Sequence, residues 1–123
     1  MNLLLDTSVL LWWLADDPRL PASARDAVPA ADAVVISAAT VWEIGIKQAL
    51  GKLRGPNDVE AEIVSNGFQA LSITPSHATA AARLPPHHAD PFDRMIIAQA
   101  IAEGLTVVTS DRRFADYGVP RLA

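Results

Sequence analysis

The sequence predicts an α/β fold in which a parallel sheet is covered by helices on both faces. Three observations carry this expectation. Short apolar runs alternate along the chain with longer stretches of helical spacing, the order that builds parallel sheets through helical crossovers. The runs LLL, AVVI and TVV are continuously hydrophobic rather than alternating, as strands buried on both faces are. Half of the 123 residues are apolar and a fifth are charged, which is the composition of compact globular proteins and not of disordered ones. The length suits one domain spanning residues 1–123, since a second core would need more chain.

Taken in order, the first strand is Asn2 to Leu5, cut off by the acid Asp6. Val9 to Ala15 and Ala22 to Val28 predict the first two helices. Ala33 to Ile36 is the second strand, followed by a long helix over Ala38 to Leu50. Val59 to Asn66 is helical, Gln69 to Ile73 forms the third strand and Ser76 to Leu84 the next helix. The stretch Pro85 to Pro91 reads as a loop. A helix over Pro91 to Glu103 then starts with Asp90 as its N-cap and proline at its first position. Leu105 to Val108 gives the fourth strand, and Val119 to Leu122 a short last one. Trp12 and Trp13 point about 100° apart on one helix, so one is expected in the core and the other on the surface, where an aromatic suits an interface. Trp42 is expected in the core.

Several function classes are disfavoured. A net charge of -4 lacks the basic excess of a generic nucleic-acid binder, unless several acids are sequestered around cations. The chain has no cysteine, which removes thiolate zinc sites and thiol nucleophiles. No basic, signal-like N-terminal segment is present, and the longest apolar run, Val9 to Ala15, is far short of the roughly 20 residues of a membrane-spanning helix. A soluble cytoplasmic protein with no membrane partner is expected.

The acids carry the chemistry. Ligands of open parallel sheets sit outside the carboxyl ends of the strands, and Asp6 and Asp111 fall there, after LLL and after LTVVTS. Asp is also common in turns and N-caps, so either alone has a structural alternative. Glu43 shares a helix face with Ala39, Ile46, Lys47 and Leu50; its structural alternative is an i, i+4 ion pair with Lys47. Asp93 aligns with Ile97 and Ala100 on a helix apolar nearly all round, whereas Asp90 is the better cap. Two carboxylates about 4 Å apart repel by about 4 kcal/mol at an effective dielectric near 20, so four converging acids need a cation. Oxygen ligands without cysteine select magnesium or manganese over zinc, and such a site suits phosphoester cleavage by metal-activated water.

The ordered motifs DTS, WEI with KQALGKL, DPFDRMIIAQA and VTSD resemble those of PIN-domain ribonucleases, and more narrowly of VapC-type toxins from bacterial toxin-antitoxin pairs. The resemblance runs from Asn2 to Phe114 or beyond. It implies a three-layer α/β/α fold with a central, mostly parallel sheet of about five strands, and a magnesium-dependent endoribonuclease that acts as a toxin on RNA. It also implies that Asp6 and Asp93 are the principal metal ligands, that Glu43 and Asp111 complete the quartet, and that Ser8 and Thr109 orient acids, water or substrate. A cognate antitoxin whose tail blocks the site, and a toxin homodimer within a hetero-oligomer, are further implications.

Lys47, Arg94, Arg112 and Arg113 neighbour these acids in sequence and are expected to contact RNA phosphates, with solvated surface charge as the alternative for Arg112 and Arg113, and pairing with Asp90 or its neighbours for Arg94. His87 and His88 lack the i, i+4 spacing of a helical zinc pair and are not expected to bind metal. Two competing functions fit the layer order. A phospho-aspartate phosphatase using Asp6 usually carries a second Asp where Ser8 stands. A non-catalytic receiver-like module needs an acceptor Asp after a middle strand, where Thr74 and Pro75 follow Ile73.

Overall fold

A computed structural model describes residues 1–123. The element order is β1 (Asn2–Leu5), α1 (Thr7–Leu14), α2 (Ala22–Ala30), β2 (Ala33–Ser37), α3 (Ala38–Ala49), α4 (Val59–Ser65), β3 (Gln69–Leu71), α5 (Pro75–Arg83), α6 (Pro91–Glu103), β4 (Thr106–Val108), a 3-10 segment (Arg112–Tyr117) and β5 (Arg121–Leu122). The five strands form one sheet in the order β3-β2-β1-β4-β5, and every neighbouring pair is parallel. This is the expected parallel five-stranded sheet. The order differs from the 2-1-3-4-5 arrangement of flavodoxin- and receiver-type sheets, which removes the receiver alternative on topology.

Successive strand residues point to opposite faces, and here both faces are apolar. Leu3, Leu5, Val34, Ile36 and Val108 pack with α1, α2 and α4, whose contributions include Val9, Leu10, Ala24, Val28 and Ile63. Leu4, Val35 and Val107 face the other way, against Ile96, Ile97 and Ala100 of α6 and Phe114 of the 3-10 segment. That division explains why the strands read as unbroken hydrophobic runs. β3 is different: it is short and largely exposed, as an edge strand tolerates, and it ends two residues before the expected Ile73.

A buried polar network fixes the helices that carry two of the acids. The Ser37 hydroxyl, at the end of β2, donates to the Gln99 side-chain oxygen of α6 (2.5 Å) and accepts the Ala39 N–H at the start of α3 (3.0 Å). The Gln99 amide nitrogen reaches the Ser72 carbonyl and His77 Nδ1, both at 3.3 Å. His77 Nε2 continues to Glu103 at 2.8 Å. Gln99 is fully buried, so a polar side chain there is tolerable only because its donors and acceptors are met. α6 closes on Gly104 in the left-handed region (φ 66°), which only glycine enters cheaply, and the chain turns directly into β4.

Candidate active site

In the order β3-β2-β1-β4-β5 the chain builds outward from β1 on one side and then crosses to β4 on the other. The crevice at the carboxyl ends of β1 and β4 is therefore the topological switch point, where ligands of open α/β sheets bind. A cleft of about 310 Å³ lies there, lined by Asp6, Thr7, Ser8, Trp12, Glu43, Lys47, Asp90, Asp93, Ser110, Asp111 and Arg113. All four expected acids are on its wall. A larger groove of about 820 Å³ adjoins it, shares Thr7, Ser8, Trp12, Glu43 and Lys47, and carries Lys52 and Arg54.

Asp6 is both a structural cap and a member of the cluster. Its backbone N–H donates to the Val108 carbonyl of β4 (3.1 Å), so the pairing of β1 with β4 continues into the site. One carboxylate oxygen accepts the Val9 N–H and caps α1 (2.8 Å); the other accepts the Thr109 hydroxyl (2.6 Å). Glu43 is held as firmly, with Oε1 accepting the Thr7 hydroxyl (2.6 Å) and Oε2 bound by Lys47 (2.5 Å). Both acids are buried, at 7% and 5% exposure. Asp111 caps the 3-10 segment through the Arg113 N–H, is gripped by the Arg113 guanidinium at 3.1 and 2.8 Å, and is met by His88 Nε2 at 3.1 Å.

Asp93 stands apart from these. It occupies the first turn of α6, where the helix dipole favours a carboxylate, yet its only close polar neighbour is His88 Nε2, 2.9 Å from Oδ2. Burial and the negative charges of Asp90, Asp6 and Glu43 push its carboxyl up to about 7, with His88 opposing. Burial also raises Asp6, reinforced by Asp111 and Glu43 and resisted by the bonds from Thr109 and Val9. Asp111 moves the other way, to about 2, chiefly because the Arg113 guanidinium binds its anion. Lys47 is raised by its bond to Glu43. The cluster thus combines acids already anchored by donors with one, Asp93, whose charge is poorly compensated.

The donor set fits a hard divalent cation. It is built from carboxylates and hydroxyls with no thiolate, and the raised acids are those that a cation would return to the ionised form.

Several expectations need correction. Arg94 does not face the cleft and pairs with no acid. Its guanidinium binds the carbonyls of Ala81, Leu84, Pro85 and His88 at 2.8 to 3.2 Å, tying the end of α5 to α6. Ala81 and Leu84 belong to the C-terminal end of α5, where carbonyls lack helical partners and a cation is favoured, and Pro85 and His88 to the loop that follows. Arg112 is exposed and lies outside the cleft, whereas Arg113 is in it and occupied by Asp111. Asp90 is the α6 cap, accepting the N–H of Phe92 and Asp93 at 2.8 and 3.1 Å, and it also lines the cleft. Glu43 is buried, but among Ala39, Thr40 and Ile44; Leu50, placed on its face by spacing, is 62% exposed because the helix ends there. Trp42 is no core residue: it is 64% exposed and packs edge-on against Phe92, ring centroids 5.3 Å apart. Trp12 and Trp13 do not divide into core and surface; both are half-buried against the first core cluster.

Ser8 is exposed on the cleft wall, while Thr109 is fully buried and binds Asp6. Two functional positions were missed. Thr7, adjacent to Asp6, is the hydroxyl that orients Glu43; its place directly after a strand-end Asp was the available signal. His88 is buried between Asp93 and Asp111, whereas His87 packs against Tyr117. Judging the two histidines as a spaced pair hid their separate fates.

Residues 3–120 match the family described as PIN domain. The chain is 34% identical to Ribonuclease VapC22 of Mycobacterium tuberculosis over 98% of its own length and 95% of that protein. Among solved structures it is similar to VapBC2 from Rickettsia felis bound to a DNA fragment from its promoter, with a TM-score of 0.73, 17% identity and coverage of 98% and 97% of the two chains. It is also similar to a toxin-antitoxin complex from Klebsiella pneumoniae, with a TM-score of 0.65, 20% identity and coverage of 91% and 89%. At these identities the solved structures speak for the fold.

Proposed function

The chain belongs to the PIN domain family, and from that membership we propose that it is a divalent-metal-dependent endoribonuclease, the toxin of a toxin-antitoxin pair. The observation that carries the reading is the meeting of Asp6, Glu43, Asp93 and Asp111 in one cleft at the switch point of the sheet. A relative of 34% identity over almost the whole chain is named a ribonuclease, which fixes the reaction class. RNA is the proposed substrate, and Mg²⁺, or Mn²⁺ in its place, the proposed ion.

Asp6 and Asp93 would hold the ion, with Glu43 and Asp111 completing the acidic wall, in contact with it or through water. When bound, the ion would supply Lewis-acid activation of water and neutralise charge at the phosphate. The chain's own residues do the rest. Thr109 and the Val9 N–H hold Asp6 in one orientation, and Thr7 and Lys47 hold Glu43 in one. Ser8 offers an exposed hydroxyl to substrate or water. Lys47 and Arg113 bring positive charge to a cleft that would otherwise repel a phosphodiester. An RNA strand crossing the cleft would continue along the adjoining groove, past Lys52 and Arg54. The phosphatase alternative loses ground because Asp6 is buried with both oxygens engaged, a poor posture for a nucleophile.

We further propose that an antitoxin protein is the partner, that the toxin forms a homodimer within the hetero-oligomer, and that it acts in the cytoplasm. Similarity to a toxin-antitoxin complex supports the partner, and no helix is long and apolar enough to cross a membrane. The test is to incubate the purified, partner-free protein with structured RNAs in Mg²⁺ and in EDTA. Cleavage that stops with chelator and with Asp93→Ala is expected. Cleavage indifferent to both would remove the reading, as would none at all from folded protein.

A further inference from the structure

His88 is buried at 3% exposure behind the cleft residues Asp93 and Asp111, its ring edge-on to Phe114. It is fixed from several directions. Its backbone N–H donates to the Tyr117 hydroxyl (2.8 Å), and its carbonyl accepts from Arg94 (3.2 Å). Ring Nδ1 accepts the Asp90 N–H (3.2 Å). Ring Nε2 lies 2.9 Å from Asp93 Oδ2 and 3.1 Å from Asp111 Oδ2. One ligand atom from each of His88, Asp93 and Asp111 falls within 4.8 Å of the others, a spacing that on distance alone would admit a metal with a nitrogen ligand.

The hydrogen bonds exclude that role for the ring. An imidazole nitrogen that accepts an N–H carries no hydrogen, so the ring's hydrogen belongs on the other nitrogen. With Nδ1 facing the Asp90 N–H, Nε2 is an N–H and has no lone pair to give a cation. Its hydrogen goes to the carboxylate oxygen Asp111 Oδ2, where a donor is worth most, and Asp93 Oδ2 lies alongside at 2.9 Å. The Asp93 carboxylate, by contrast, accepts no hydrogen bond from the ring, which goes to Asp111, and stays open to a cation.

We propose that His88 is a positioning residue and not a metal ligand: its Nε2–H binds Asp111 Oδ2 and its ring edge lies 2.9 Å from Asp93 Oδ2, so that Asp111 is fixed beside Asp93 and both carboxylates meet the ion in a set arrangement. The role rests on the metal-nuclease reading of the cleft. It also gives Asp90 two jobs, since its side chain caps α6 and its backbone N–H fixes the tautomer of His88. The HHADPFD stretch is then one device, in which a helix start, a locked imidazole and a carboxylate are set within six residues of chain.

The test has two arms. In the first, ¹⁵N–¹H correlation spectra of the histidine-labelled full chain are recorded without metal and with Mg²⁺. Nε2 bearing the hydrogen of His88 in both states is expected; an unprotonated Nε2 in either would overturn the proposal. In the second, Mg²⁺ and Mn²⁺ are titrated into wild type, His88→Ala and His88→Gln. His88→Ala should weaken both ions by the same factor, about 10- to 100-fold as for other residues that orient metal ligands. The amide N–H of His88→Gln should restore most of that loss. Unchanged affinity in His88→Ala, or a Mn²⁺ loss at least about tenfold greater than the Mg²⁺ loss, as a nitrogen ligand would give, would overturn it. Should His88→Ala fail to fold, the wild-type spectra and His88→Gln still decide. A wild-type protein that takes up neither ion would remove the metal reading itself, while the metal-free spectrum would still judge the tautomer.

Discussion

Two polar clusters interrupt the apolar interior, and they differ in how their charges are met. The network of Ser37, Gln99, His77 and Glu103 joins β2, α5 and α6, and each of its buried atoms has a partner. The cleft at β1 and β4 gathers Asp6, Glu43, Asp93 and Asp111 beside the capping Asp90, and of these Asp93 is pushed up to about 7 and Asp6 raised with it. The first cluster is complete as it stands; the second is complete only with something positive in it. Similar burial with opposite electrostatic balance separates a polar group that serves the fold from one that serves chemistry.

Substitutions can break that contrast from either side. The largest effect is expected from Asp93→Asn, which keeps the shape of the side chain and removes its charge. Cleavage should fall on the order of 10²- to 10³-fold, the usual cost of losing one electrostatic contributor to a transition state, as measured by initial rates on a fixed RNA. Thermal stability without metal should not fall, since the substitution relieves repulsion. Gln99→Ala should do the reverse. It leaves the buried Ser37 hydroxyl without its acceptor and opens a cavity, for a loss of about 2 to 4 kcal/mol by denaturant unfolding, with the cleavage rate per folded molecule kept.

A third substitution tests a correction. Since Arg94 binds backbone carbonyls and no phosphate, Arg94→Ala should cost about 1 to 3 kcal/mol of stability while leaving the salt dependence of RNA binding unchanged. A flatter salt dependence in this variant would restore its place at the substrate.

The pH dependence of the metal-free protein has a sign of its own. A carboxyl at about 7 when folded and 3.8 ordinarily binds more protons in the folded state. Stability should therefore decline as pH rises from about 4 to 7, opposite to the usual behaviour of a paired acid. Asp111, lowered to about 2, gives the usual sign, with stability lost as pH falls from about 4 towards 2. Melting curves from pH 5 to 8 would follow the Asp93 window, and saturating Mg²⁺ should flatten it.

How much of this was legible in the sequence follows from how local each signal is. Strand LLL ending on Asp6, the Asp90 cap followed by proline, and the alternation of strands with helices are local patterns, and they placed the sheet and all four acids. The 3-10 segment was not foreseen because its first residues, Arg112 and Arg113, carry no apolar period. Trp42 was misplaced because its hydrophobicity said core while the helix turned it outward. The hydroxyl of Thr7 on Glu43, the grip of His88 on Asp111 and the reach of Arg94 to α5 join residues 36, 23 and 10 or more positions apart. No periodicity encodes such pairings; they appear only when the chain is folded.

The central claim is that carboxylates are held together at an electrostatic cost that a divalent ion relieves. Calorimetric titration of Mg²⁺ into the metal-free protein at pH 7, in two buffers of different ionisation enthalpy, tests it directly. Saturable uptake with release of protons, lost in Asp93→Asn, is the predicted result. No uptake at millimolar Mg²⁺, or uptake that neither frees protons nor needs Asp93, would contradict it.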